Sequence, residues 1–230
     1  MNTLVIDTAS NLEIVAARSG TITAEASEFV GASHSLALLD NVERCLKKLG
    51  LSIRDMDCIG VGIGPGSFTG IRIAVATGRM LAQLLGKPLV GIKTQLLYAV
   101  TVNASINDNI LIAFDAKKSR VFGALYRKSD DALHPAEIVP PGDYDIQKLL
   151  NSIDQARPTY LIGSGIEKYG DIIQHTIGKR MVLAGYIPDG KNMCDLITQS
   201  YRESPEQFAD YNRVVPFYAR KSDAEAAKGN

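Results

Sequence analysis

Apolar and polar positions alternate in blocks along this chain, and the lengths of the blocks predict its elements. Three strand-length apolar runs open it, over residues 3–7, 12–18 and 21–29, separated by Thr8, Ser10 and Asn11 and then by Ser19 and Gly20. Runs this short with turn formers between them predict an antiparallel meander. A helical period then runs from a cap at Ser33 or Ser35 to Leu49, closed by Gly50. Leu36, Leu39, Val42, Leu46 and Leu49 form its stripe, and Leu38 and Cys45 widen it beyond what one sheet contact requires. A short helical turn over 52–57 leads into a strand at 58–63. A glycine-rich stretch, residues 60–70, turns that strand into a second helix ending at Leu85. A strand over 87–92 and a helix over 94–103 follow.

That order, three meandering strands and then helix, strand, helix, strand, helix, is the ribonuclease-H-like lobe that actin-type ATPases and sugar kinases use twice. Asn107, Asp108 and Asn109 punctuate the chain, and the pattern then repeats in diluted form. Strands are predicted over 110–115, 120–126 and 137–139, and a helix over 146–153. A strand over 159–162 ends in Gly163-Ser164-Gly165 and opens a helix to His175. A short strand over 181–183, a helix over 191–203 and an extended exit over 214–218 complete the chain. The first strand of each half ends in aspartate, Asp7 and Asp115, 108 residues apart. The expected fold is therefore α/β and two-lobed, with two ribonuclease-H-like domains of mixed sheets flanked by helices. The lobes are expected over 1–107 and 108–220, with the last helix packing back on the first lobe and a frayed tail over 221–230.

The chemistry concentrates at Gly64-Pro65-Gly66-Ser67-Phe68-Thr69-Gly70. Glycine admits positive φ and close backbone approach, so this is a strong strand-turn-helix signal with Ser67 and Thr69 as N-cap candidates. As a phosphate loop it is incomplete. A Walker loop needs Lys and then Ser or Thr after its last glycine, where this chain has Ile71 and Arg72, and the dinucleotide spacing also fails. Gly70, Ala74, Gly78 and Ala82 recur every fourth residue and form one row of small side chains. That row fits a helix pressed on its own sheet, and it equally fits a contact with another subunit. Asp7, with Thr8 after it, occupies the place where actin-like ATPases orient magnesium and phosphate, but no glycine or lysine follows closely; a carboxylate capping its own turn accounts for it as well. His34, His134 and His175 include no i, i+4 pair, so no helical two-histidine metal site is expected. No GxSxG elbow is present.

Lysine plus arginine equals aspartate plus glutamate at 25 each, a balance that argues against nucleic-acid binding by the chain alone. With 46% hydrophobic residues in 230, a full core is available. Cys45, Cys58 and Cys194 form neither a CxxC pair nor an even framework and read as reduced, packed thiols. No run is long or apolar enough to span a membrane. The chain enters its first strand directly after Met1, so a cytoplasmic protein without a secretory leader is expected.

Ile6-Asp7-Thr8, Ser33-His34-Ser35, the Gly64–Gly70 heptapeptide with Ile71 and Arg72, Lys87-Pro88-Leu89-Val90-Gly91 and Pro216-Phe217-Tyr218-Ala219-Arg220 together resemble the bacterial TsaB (YeaZ) family. The resemblance is dense over residues 1–92 and in the second lobe rests on element order. It implies the two-lobed actin-like fold and a non-catalytic role in placing threonylcarbamoyl on N6 of the tRNA adenosine beside the anticodon. The implied partners are the metal-bearing paralogue TsaD, which it scaffolds and activates, a small ATPase (TsaE), and a second copy when alone. The tRNA would be reached only through the complex. The paralogue holds its metal through a His-x-x-x-His pair, of which this chain offers only His34, and no metal or cofactor is expected, weak ATP or ADP binding being left open. The family associates through its first two long helices, which turns the wide apolar face and the small-residue row into an expected interface of His34, Leu38, Val42, Cys45, Gly70, Ala74, Gly78 and Ala82. Asp7, Thr8, Ser67 and Thr69 become a vestigial phosphate site. The alternative is a self-sufficient enzyme, an actin-like ATPase or an M22-type peptidase.

Overall fold

The structure is a computed structural model that describes residues 1–29, 37–184 and 187–220. Its first sheet contains β1 (Thr3–Asp7), β2 (Leu12–Ser19), β3 (Ile22–Phe29), β4 (Cys58–Gly62) and β5 (Leu89–Ile92) in the order β3-β2-β1-β4-β5. The meander is antiparallel, with Asp7 opposite Ile14, and β4 and β5 add in parallel after crossovers through helices. Those helices are α1 (Leu38–Lys48) and α2 (Phe68–Leu85), and α3 (Thr94–Ala99) follows β5. The second sheet contains β6 (Asn109–Asp115), β7 (Arg120–Arg127), β8 (Ala136–Asp145), β9 (Thr159–Ile162) and β10 (Met181–Leu183), with α4 (Ile146–Leu150), α5 (Ser164–Lys168), α6 (Gly170–Ile177) and α7 (Gly190–Glu203) around them. Its order, β10-β9-β6-β7-β8, is the first sheet's order read from the other edge. The chain therefore has the two-lobed actin-like architecture.

Several boundaries differ from the sequence reading, each for a local reason. β8 runs from Ala136 to Asp145 and pairs with β7 from Arg127↔Ala136 to Arg120↔Asp145, although only 137–139 looked like strand. Pro140 and Pro141 hid it: proline breaks a central strand but is tolerated at a sheet edge, which is where β8 lies. The helix expected up to His175 is broken at Tyr169 into α5 and α6. α3 ends at Ala99 instead of near residue 103. α2 is capped as its sequence suggests, by Ser67 Oγ accepting from the Gly70 amide and by Gly86 in the left-handed conformation at φ 63°. The expected α1 caps, Ser33 and Ser35, lie with His34 outside the described residues.

Each sheet buries both faces. On the outer face of the first, Leu4, Ile6, Ile59 and Val61 pack against Leu46, Ile71 and Leu81 of α1 and α2. On its inner face lie α3 and α7. Gly60 has no side chain because Ile197 of α7 occupies that space; a Cβ there would lie 2.6 Å from Ile197 Cδ1. The same inner core continues through Leu97 and Tyr98 into Ile112, Phe114 and Phe122 of the second sheet. Tyr98 and Phe114 meet edge to face at 4.9 Å. The two lobes thus share one apolar core. Among the described residues no helix is long and apolar enough to cross a membrane.

Candidate functional site

β1 and β4 are parallel neighbours, so Asp7 and Gly62 end side by side at the carboxyl edge of the first sheet, where ligands usually enter open α/β folds. Asp7 is fully buried there. Its Oδ1 accepts from the Ala9 amide at 3.1 Å and its Oδ2 from Thr94 Oγ1 at 2.6 Å. Thr94 Oγ1 also accepts from the Gly64 amide at 3.1 Å, so α3 pins the carboxylate and the glycine turn together. Burial pushes the Asp7 carboxyl up to about 6, with the Thr94 and Ala9 hydrogen bonds pulling the other way. A Cβ on Gly62 would overlap the Asp7 carboxylate and come within 2.9 Å of Thr94 Oγ1.

The glycine turn is filled by its own chain. Cβ atoms on Gly66 and Gly70 would run into the carbonyls of Ala9 and Thr8. The Ser67 amide donates to Ala9 O at 2.6 Å, Thr8 Oγ1 donates to Gly70 O at 2.6 Å, and the Ile71 amide donates to Ser67 O at 2.9 Å. Gln95 ties the turn to the second lobe, Nε2 donating to Pro65 O at 2.9 Å and Phe122 O at 3.4 Å. Thr69 is exposed on the first turn of α2. A nucleotide phosphate with its magnesium needs an open carboxylate and close glycine backbone. Here the carboxylate is closed in and the glycines admit Thr8 and Ala9, so these residues do not fit that group. Asp7 and Thr8 serve the turn, and the sequence offered no sign of Thr94 or Gln95, whose roles arise only once α3 is folded against β1.

The small-residue row faces inward. A Cβ on Gly78 would collide with Val61 Cγ1 and reach Leu89 Cδ1 at 3.0 Å, while Ala74 and Ala82 are buried in the same core. Leu38, Val42 and Cys45 of α1 are buried as well, and Cys45 Sγ donates to Val15 O at 3.6 Å. Of the residues expected at an interface, Leu38, Cys45, Ala74, Gly78 and Ala82 are turned into the chain's own core and Gly70 onto the Thr8 carbonyl, while Val42, buried too, also lines the outer groove between α1 and α2. The small residues seat α2 close on β4, and the surface left for a neighbour is its opposite side. There Arg72, Ala76, Met80 and Leu84 form a parallel row, also four residues apart and exposed throughout. Leu84 is 75% and Met80 50% exposed, and Leu39 of α1 is 53% exposed. Between α1 and α2 lies a groove of about 610 Å³ lined by Leu39, Val42, Leu46, Leu51, Ile53 and Leu81, with Glu43 and Lys47 at its rim.

The remaining candidates do not assemble into a site. Asp115, the second lobe's counterpart of Asp7, is partly exposed and bound by Lys168 Nζ at 2.8 Å; burial acts to raise its carboxyl, but Lys168, the Lys117 amide and Tyr169 together hold it below the usual range. His134 pairs with Asp131 on the surface. Burial pushes the Cys58 thiol up to about 12 and raises those of Cys45 and Cys194, which leaves all three inert as nucleophiles. Among the described residues no group of three or more His, Cys, Asp or Glu side chains could hold a metal ion.

The chain matches the family model TsaD, tRNA N6-adenosine threonylcarbamoyltransferase, over residues 13–228. The tRNA threonylcarbamoyladenosine biosynthesis protein TsaB of Bacillus subtilis (strain 168) is 26% identical over 229 residues, 98% of this chain and 97% of that protein. The Escherichia coli (strain K12) protein of the same name is 31% identical over 139 residues, 60% of each chain. Among solved structures, YeaZ from Pseudomonas aeruginosa superposes with a TM-score of 0.77 at 20% identity, covering 94% of this chain and 99% of that one. An uncharacterized protein with similarity to peptidase YeaZ, also from Pseudomonas aeruginosa, reaches 0.80 at 20% identity, covering 95% and 99%. At that identity the two structures speak for the fold, which agrees with the duplicated sheet order. A family match across nearly the whole chain, joined to that fold and to full-length similarity with TsaB, places the chain in the TsaD-related family as a member of its TsaB (YeaZ) branch.

Proposed function

We propose that this chain takes part in tRNA threonylcarbamoyladenosine biosynthesis as a non-catalytic subunit, binding a TsaD-type, metal-bearing paralogue through the outer sides of α1 and α2. The observation that carries the reading is the exposed apolar surface there: Leu39, Met80 and Leu84 stand beside a leucine-lined groove. Large apolar side chains grouped on one face with polar residues at the rim mark a docking surface. The closed-in Asp7 supports the absence of catalysis, since its oxygens are already engaged by Ala9 and Thr94. The equal numbers of basic and acidic residues fit a subunit that meets tRNA through its complex. The same face would carry a second copy when the paralogue is absent, and a TsaE-type ATPase would join the assembled pair.

The test is capture of the purified paralogue by this chain, with Leu84→Glu and Met80→Glu beside the wild type. Both substitutions are expected to abolish capture without changing the melting temperature. Undiminished capture would move the contact elsewhere. ATP hydrolysis and proteolysis by the chain alone, assayed beside Asp7→Ala, decide the non-catalytic part; turnover that disappears with Asp7 would overturn it.

A further inference from the structure

The last described segment, residues 214–220, lies across the carboxyl edge of the first sheet in a bed made for it. A Cβ on Gly91 would meet Val214 Cγ1 at 2.8 Å, and one on Gly64 would meet Phe217 O at 2.9 Å. One sheet-like hydrogen bond fixes the segment, from the Phe217 amide to Ile63 O at 2.8 Å. Val214 anchors one end in the core and Arg220, over the Phe122 ring at 5.2 Å, holds the other; between them the fastenings are side chains closer to the surface. Tyr218 stacks on Phe68 with centroids 4.5 Å apart, and Arg72 Nε donates to Tyr218 Oη at 2.8 Å while the guanidinium sits 3.9 Å from the Phe68 ring centre. Lys93 lies 5.4 Å from the Phe217 ring, and Arg220 Nη2 donates to Ala116 O of the second lobe at 3.0 Å. Below the segment are the Ile63–Pro65 turn and Thr94, and beneath them Asp7.

We propose that residues 214–220 form a strap that opens as a local unit over this turn, and that Arg72 is its latch. Segments with few backbone hydrogen bonds and exposed fastenings open well below the free energy of global unfolding. The middle of the strap fits that description, with Val215 55% and Tyr218 38% exposed between the buried Val214 and the half-buried Arg220. Arg72 begins the outer row Arg72, Ala76, Met80 and Leu84, so the latch stands on the side of α2 proposed above as the docking face. Resting on that reading, an acidic group of the docked paralogue that drew Arg72 away from Tyr218 would loosen the strap. Docking would then be transmitted to the turn above Asp7 without any nucleotide between the lobes.

Hydrogen exchange at the Phe217 amide reads the strap directly. In the chain alone, Arg72→Ala is expected to speed Phe217 exchange roughly tenfold, the worth of one exposed cation–π contact with its hydrogen bond, while exchange of the core amides of β1 stays unchanged. Arg213→Ala, a surface change just before the strap, should alter neither. Phe217 exchanging at the pace of the β1 amides, or failing to respond to Arg72→Ala, would overturn the latch. In the complex, its formation confirmed by mass, Phe217 exchange should rise again; a complex without that rise would overturn the link to docking. A complex that does not form counts against the docking reading and leaves the experiment on the lone chain to decide the latch.

Discussion

Replacing Gly78 with valine tests which side of α2 belongs to the fold. The new Cβ would collide with Val61 Cγ1 and press on Leu89 Cδ1, both held in the sheet. Overpacking a close-fitted core typically costs about 1–3 kcal/mol. Valine's better helix propensity returns only about 0.4 kcal/mol of that. The net loss is therefore about 2 kcal/mol, which for a chain of this length corresponds to about 4–8 °C in Tm. Leu84→Glu, one and a half turns further along and 75% exposed, should stay within about 0.5 kcal/mol of the wild type. Thermal unfolding followed by circular dichroism gives the first comparison, and mass in solution gives the second. Valine at 78 should destabilise the monomer, and glutamate at 84 should alter only association. If Gly78→Val kept the wild-type Tm and instead dissociated an assembly, the small-residue row would be facing a partner and the packing argument would fail.

Three further outcomes follow from the site. The Asp7 carboxyl binds its proton more tightly in the folded chain, at about 6 against 3.8, so between those pH values the folded state holds the extra proton and stability falls as pH rises. Asp7→Asn removes that dependence: across pH 4 to 7 the wild type should lose about 2 kcal/mol relative to the variant in urea unfolding, and parallel curves would show that the burial is not felt. Gly62→Ala, whose Cβ enters the Asp7 carboxylate, should cost more than about 3 kcal/mol, whereas Gly86→Ala, at positive φ but in open space, should cost about 1 kcal/mol; equal losses would contradict the crowding at Gly62. All three thiols should resist a thiol reagent at pH 8 in the native chain and react together in denaturant; one that reacts quickly in the native chain would show that its burial is not maintained.

Much of this architecture is legible in the amino-acid order because its signals are local. Alternating runs, capping serine and closing glycines mark β1 to β5 and α2, and the two Asp-terminated strands mark the duplication. What stays hidden depends on tertiary placement. Pro140 and Pro141 conceal β8 because only the sheet order reveals it as an edge strand. The row from Gly70 to Ala82 could be resolved only by knowing what lies beneath it, since a helix nestled on its sheet and a helix nestled on a neighbour both require small residues. At the site, Asp7 is visible as a strand-ending carboxylate, but its partners come from Ala9 and from Thr94, 87 residues away. The outer row of α2 was missed for a related reason: Met80 and Leu84 share the helix with inward-facing Leu81 and Leu85, so the pattern alone reads as one broad apolar helix.

The seat of α7 has a consequence for how the protein is made. Cys194 and Ile197 cover the inner face of a sheet whose strands were all synthesised before residue 93, and Thr198 Oγ1 meets Thr3 Oγ1 at 2.8 Å. During translation, then, the amino-terminal half emerges with the part of its sheet that α7 covers bare, α3 alone lying on that side, and remains so for about a hundred further residues. It must wait on the ribosome as an incomplete, sticky intermediate or be shielded by a chaperone. Ribosome-bound chains stalled before and after residue 203 should differ sharply in protease resistance, with the amino-terminal strands gaining protection only when that late helix is released.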